Sequence, residues 1–165
     1  MADELINLDT LRAVLEEYGE AVAAEYRDNL RKDGRPASGA LENSIRTHVE
    51  VDGQDFIVQM DLEEYWKYIE YGTKGRQTGN PGLKFPPTSA ILRWIQVKPS
   101  FPRPASLPEQ KSLAFLIGRK IREYGTQGKP SLTDATRSVT KQWRDRIEAA
   151  LQHDIYYYIR KVTAQ

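Results

Sequence analysis

The chain has 165 residues, 39% hydrophobic and 28% charged, which suits one folded domain with a real core. No run of 18 apolar residues offers a membrane span, the acidic start Met1-Ala2-Asp3-Glu4 lacks the apolar stretch of a signal peptide, and the lack of cysteine excludes disulfides, thiol chemistry and thiolate zinc sites. The net charge of +1 hides an asymmetry: residues 1–71 carry 17 Asp+Glu against 7 Lys+Arg, and residues 72–165 carry 6 against 17.

A balance of −10 in one half and +11 in the other suits copies docking head to tail, acidic surface on basic. It also suits a basic surface aimed at nucleic acid. Cytosolic synthesis is the expectation for a cysteine-free chain of this kind.

The first helix is predicted from about Asp9 to Lys32. Leu8, Leu11, Leu15, Tyr18, Val22, Tyr26 and Leu30 step by three or four, Asp9 or Thr10 can cap the start, and Gly34 with Pro36 stops the end. Ser38 caps a single turn with Leu41 pointing inward. Ile45, Thr47, Val49 and Val51 then alternate with polar residues, Asp52-Gly53 signals a turn, and Phe56, Val58 and Met60 alternate again. Residues 44–61 therefore read as a β-hairpin, which needs cover or company because two strands alone are marginal. His48 sits on its polar side and reads as a surface residue.

A short helix follows in Glu64-Tyr65-Trp66-Lys67-Tyr68-Ile69-Glu70-Tyr71-Gly72-Thr73. Leu62, Tyr65 or Trp66, and Ile69 make its apolar stripe, and Gly72 closes it in a left-handed conformation. Residues 72–87 hold four glycines, three prolines, Lys74, Arg76 and Lys84, and no acid. They read as a flexible basic arm that orders against a partner, since the spacing of a phosphate-binding loop is absent. Thr88 opens a short helix with Ile91, Leu92 and Ile95 inward and Trp94 beside them. Four prolines from Pro99 to Pro108 predict an extended linker over 98–108.

The fourth long segment, about Glu109 to Tyr124, turns Leu113, Leu116, Ile117, Ile121 and Tyr124 to one face. It closes in Glu123-Tyr124-Gly125-Thr126, which repeats Glu70-Tyr71-Gly72-Thr73, and Gly128 follows at the offset of Gly75. Two helices that end alike is the modest reading of this repeat. The last and longest helix, roughly Thr133 to Val162, has Val139, Trp143, Ile147, Leu151, Ile155, Tyr158 and Val162 as its stripe. Tyr156-Tyr157-Tyr158 cannot all point one way, so at least one ring faces outward, and Tyr157 is a candidate interface residue.

Catalytic patterns are missing. His48 and His153 lie far apart, and no zinc-protease motif, nucleophile elbow or dinucleotide fingerprint occurs. Glu63, Glu64 and Glu70 read as solvated charge rather than as metal ligands, so no catalytic, cofactor or metal site is expected. Glu70 and Glu123 each precede a helix-terminal Tyr-Gly, where a carboxylate opposes the macrodipole and calls for a specific partner.

The order of these segments resembles the tail-completion and neck (head–tail joining) proteins of tailed bacteriophages. The residues that carry the resemblance are Ser38-Gly39-Ala40-Leu41-Glu42-Asn43-Ser44-Ile45, the strand pair, Tyr68-Ile69-Glu70-Tyr71-Gly72-Thr73, and Pro130-Ser131-Leu132-Thr133-Asp134-Ala135. Ser131 stands where the family usually has an aromatic. The Pro-rich stretch near 76–108 and the long first helix are departures. The resemblance implies a single α+β domain, 1–165, with long terminal helices packed on a small antiparallel sheet and a long Gly/Pro-rich loop. It further implies a non-enzymatic virion protein that forms a homo-oligomeric ring around the DNA channel, with portal, adaptor or tail proteins as partners. Tyr65, Trp66, Glu70, Tyr71, Lys74, Arg76, Lys84, Glu123 and Tyr157 are the expected contacts with a neighbouring subunit or ring. The alternative is a nucleic-acid-binding module that uses the basic second half.

Overall fold

The structure, a computed structural model, describes residues 8–34, 39–52, 55–98 and 104–164. In chain order the elements are α1 (Asp9–Lys32), α2 (Ala40–Ser44), β1 (Arg46–Asp52), β2 (Asp55–Asp61), α3 (Trp66–Tyr71), β3 (Gly72–Lys74), a 3-10 turn (Arg76–Thr78), α4 (Thr88–Val97), α5 (Leu107–Tyr124), β4 (Gly125–Gln127) and α6 (Ser131–Thr163). The fold is α+β, with long helices at both ends and two separate two-stranded antiparallel sheets, β1–β2 and β3–β4. The chain divides into two compact units. One comprises Met1–Asn29, Ile45–Leu62 and Leu132–Gln165, and the other Leu30–Ser44 and Glu63–Ser131.

The first unit is built on α1 and α6. The three-and-four spacing of α1 buries Leu11, Val14, Val22, Ala23 and Tyr26 on one face. Leu11 and Val14 form a cluster with Ala150 of α6, against which Leu8, Leu15, Phe56, Trp143 and Ile147 pack. Each large apolar side chain withdrawn from water contributes about 1.5–3 kcal/mol. Strands β1 and β2 pair from Arg46↔Asp61 to Asp52↔Asp55, and Ile45 and Val49 are buried. Gly19 lets the hairpin approach α1: a Cβ there would stand 3.1 Å from Val58 Cγ1 and 3.2 Å from Thr47 Cβ. The Asp52-Gly53 turn lies partly outside the described residues.

Asp154 of α6, 5% exposed, caps the start of α1. Its Oδ2 accepts from the Leu11 backbone N–H at 2.9 Å, and its Oδ1 lies 3.2 Å from His153 Nδ1. A carboxylate at a helix N-terminus satisfies an orphan N–H and meets the positive end of the dipole. Burial works to raise the Asp154 pKa, but the hydrogen bonds from Thr10, Leu11 and His153, with the His153 charge, together hold it below the usual carboxylate value.

In the second unit Ile91, Ile95 and Ala114 are buried, with Leu92, Trp94, Leu113, Ile117 and Ile121 packed against them. Helix α5 starts earlier than its sequence suggests. Ser106 accepts from the Glu109 N–H and Glu109 accepts from the Ser106 N–H, a capping box that places Leu107 and Pro108 in the first turn. The expected linker over 98–108 is thus shortened at its end, and residues 99–103 lie outside the described residues. Leu116 and Tyr124, expected on the apolar face of α5, are 50% and 58% exposed. Gly118 occupies that face instead, because Phe85 lies across it and stacks on Phe115 at 5.4 Å between ring centroids.

Candidate assembly surface

The repeated tetrapeptides, 53 residues apart, pair with each other. Gly72↔Gln127, Thr73↔Thr126 and Lys74↔Gly125 form the β3–β4 ribbon, with Thr73 Oγ1 and Thr126 Oγ1 3.0 Å apart at its centre. Each strand leaves its helix in the same way. Gly72 (φ 70°, ψ −164°) donates its N–H to Tyr68 O, and Gly125 (φ 80°, ψ −162°) donates to Ile121 O. The positive φ matches the expectation for Gly72. The extended ψ does not, because the same residue must close a helix and begin a strand.

The two halves are related by a local pseudo-two-fold axis through the threonines. A Cβ on Gly72 would land on Thr126 O, and one on Gly125 on Thr73 O. A Cβ on Gly75 would meet Glu123 O, Tyr124 C and Gly125 N, while one on Gly128 would meet the matching Glu70 O, Tyr71 C and Gly72 N. The shared pattern Glu-Tyr-Gly-Thr-x-Gly is thus one structural rule used twice: glycines where two backbones touch, threonines where two hydroxyls meet.

This corner is tied down on both sides. Lys129 donates its N–H to Ile69 O at 2.9 Å, and its Nζ lies 2.7 Å from Asp33 Oδ1. Ser131 donates its hydroxyl to Asp33 Oδ2 at 2.8 Å and is 3% exposed. Gly75 donates its N–H to Thr78 Oγ1 at 2.7 Å, and the Thr78 hydroxyl is 3.2 Å from Tyr124 O. The expected flexible arm over 72–87 is therefore a strand, a 3-10 turn and a fixed corner as far as Thr78. Sequence reading missed this because the hydrogen-bonding partner of the arm is so distant along the chain.

The expected contact residues fall in different settings. Tyr71 is 72% exposed, as are Tyr68 at 63% and Tyr124 at 58%, the last two unforeseen. Trp66 is half-buried, its ring 6.1 Å from that of Tyr71. Tyr65 is held by the Leu41 backbone, and burial pushes its phenol up, partly offset by that hydrogen bond and reinforced by Glu63. Lys74, Arg76 and Lys84 are exposed, and Arg76 Nε donates to Pro81 O at 2.9 Å. Glu123 is half-buried, with Gln77 Nε2 3.5 Å from its Oε2. Glu70 is 3% exposed, so it lies inside the unit and not on the surface where a subunit contact or solvated charge would place it. Tyr157, 66% exposed, is on α6 in the other unit.

The first unit holds an open groove of about 720 Å³ lined by Arg12, Glu16, Glu17, Glu20, Thr47, His48, Val49, Trp143 and Arg146. Its charges are largely spent on one another: Arg146 pairs with Glu17 and stacks over Trp143, Arg12 pairs with Glu16, and Thr47 donates to Glu20. His48 stands exposed between Glu50 and Asp61. Among the described residues no group of three or more His, Asp or Glu could hold a metal ion, and no helix is long and apolar enough to cross a membrane. Comparison of the chain with protein-family models, curated proteins and solved structures finds no match in any of the three.

Proposed function

We propose that this chain is a structural virion subunit of a tailed phage, forming a homo-oligomeric ring that joins the portal-bearing head to the tail. Portal, adaptor or tail proteins flank it, and its work is to hold shape. The observation that carries the reading is the Glu-Tyr-Gly-Thr-x-Gly corner. Its glycines leave no room for a side chain between the two backbones, and it holds Tyr71 and Tyr124 outward. Rigid aromatic side chains on a fixed backbone lose little entropy when covered, which suits a repeated subunit contact. The hairpin β1–β2 also supports the reading, since among the described residues each of its strands pairs only with the other. The resemblance of its segment order to neck proteins supports a place at the junction of head and tail.

Negative-stain microscopy of the purified chain tests this. Closed rings of uniform diameter are expected, and they should be lost in the Tyr71→Ser/Tyr124→Ser variant with its helix content unchanged. A monomer that binds duplex DNA with a log affinity falling linearly in log salt would replace the proposal with the nucleic-acid-binding alternative.

A further inference from the structure

A contact that closes a ring of identical chains is heterologous: one surface of each copy meets a different surface of the next. The tyrosine corner is one such surface, and charge points to what receives it. The charge asymmetry of the sequence falls between the two units of the fold. The first unit carries 16 Asp+Glu against 9 Lys+Arg, and the second 7 against 15. At the corner, cations and tyrosines come in pairs. The repeat reaches back one helical turn: Lys67 precedes Tyr71 by four residues on α3, as Lys120 precedes Tyr124 on α5, which puts each lysine on the same helix face as its ring. Both lysines are exposed, as is Lys74 on β3, and among the described residues none of the three enters an ion pair. Groups related by a two-fold axis stand at equal height along it, so one partner surface can meet both Lys–Tyr pairs.

We propose that the outer face of the β1–β2 hairpin of the next copy receives this corner, an inference that rests on the ring reading. Alternation turns Val49, Phe56 and Val58 inward and leaves Glu50, Asp52, Asp55, Ile57 and Asp61 on the other side, all exposed. The register sets Glu50 directly across from Ile57 and Asp52 across from Asp55, which lies two residues before Ile57 on the same face. Ile57, 42% exposed, is therefore an apolar spot with three carboxylates around it. The corner is its complement, tyrosine rings with a lysine one turn away. The cations of this face, Arg46 and His48, lie toward its other end, where Arg46 donates to Ile45 O and His48 stands between Glu50 and Asp61. Opposite charges across a contact decide which surfaces meet, and the like-charged arrangements, corner on corner or hairpin on hairpin, are penalised. Head-to-tail order follows. Nucleic acid would satisfy the lysines alone, whereas a second copy satisfies lysines and carboxylates together.

Charge reversal on each side, read by light scattering of the purified chain, tests this. Lys67→Glu/Lys120→Glu and Glu50→Lys/Asp55→Lys change exposed side chains only, so circular dichroism should stay unchanged. Each variant should remain a single chain where the wild type assembles, its self-association weakened by at least about a hundredfold. Mixed in equal amounts, the two should assemble again beyond a pair of chains, since every corner then meets a hairpin of opposite charge. Without any substitution, raising the ionic strength from about 0.1 M to about 1 M shortens the screening length from about 10 Å to about 3 Å and should weaken wild-type assembly at least about tenfold. A wild-type chain that stays single would remove the ring reading and this inference with it. Rings indifferent to salt, rings that persist in either variant, or a mixture that fails to assemble would overturn the hairpin as the receiving face and leave the ring reading standing. Duplex DNA binding that is lost in Lys67→Glu/Lys120→Glu while assembly is unchanged would give the corner to nucleic acid and overturn the inference in the same way.

Discussion

Gly72 and Gly125 are the residues on which the second unit closes. Each combines a positive φ with a neighbouring carbonyl where a Cβ would stand. Gly34 is the natural control, with φ 62° and nothing within 4 Å of the place a methyl group would take. Substituting alanine at Gly72 or Gly125 is therefore expected to cost about 3 kcal/mol or more, strain plus overpacking, against about 1 kcal/mol at Gly34. Urea midpoints of the three variants check the order. Equal losses at all three would show that the close approach carries no energy.

Asp154 gives a pH-dependent prediction. Its pKa is lower in the folded chain than in the unfolded one, so its contribution is fully present above the unfolded value of about 3.9 and lost as pH falls through the folded value. Asp154→Asn is expected to lose about 1–2 kcal/mol at pH 7. Its deficit against the parent should shrink toward about pH 3, and an unchanged deficit at both pH values would contradict the cap.

At the scale of the element, the extent of α1 was legible because spacing and a glycine stop agree; its cap was not, since Asp9 and Thr10 lie inside the helix and Asp154, from the far end of the chain, holds the Leu11 N–H instead. The hairpin was legible from alternation alone, and so was the existence of a repeat at Glu70-Tyr71-Gly72-Thr73. Its meaning was not, since strands of three residues leave no period and their partner is distant in sequence. Glu70 escaped for a different reason: a carboxylate defaults to solvent, and only the corner that encloses it reverses the default. On α6 the periodicity marked an apolar face correctly but could not say where α1 stops covering it. The ribbon's register has its own test. Thr73 Oγ1 accepts from the Thr126 N–H at 3.1 Å, and no matching acceptance by Thr126 is seen among the described residues. Thr73→Val should therefore cost about 1 kcal/mol more than Thr126→Val and speed amide exchange at Thr126. Equal effects would refute this asymmetry.

For the molecule as a whole, assembly is the proposed function, with the aromatic corner of the second unit as its contact. Light scattering of the purified chain over about a hundredfold range of concentration, wide enough to span about 2.7 kcal/mol of association free energy, tests that claim most directly. The account predicts one closed species of more than two copies at high concentration, reduced by Tyr71→Ser/Tyr124→Ser to a single chain. A wild-type mass of one chain across the whole range would contradict it.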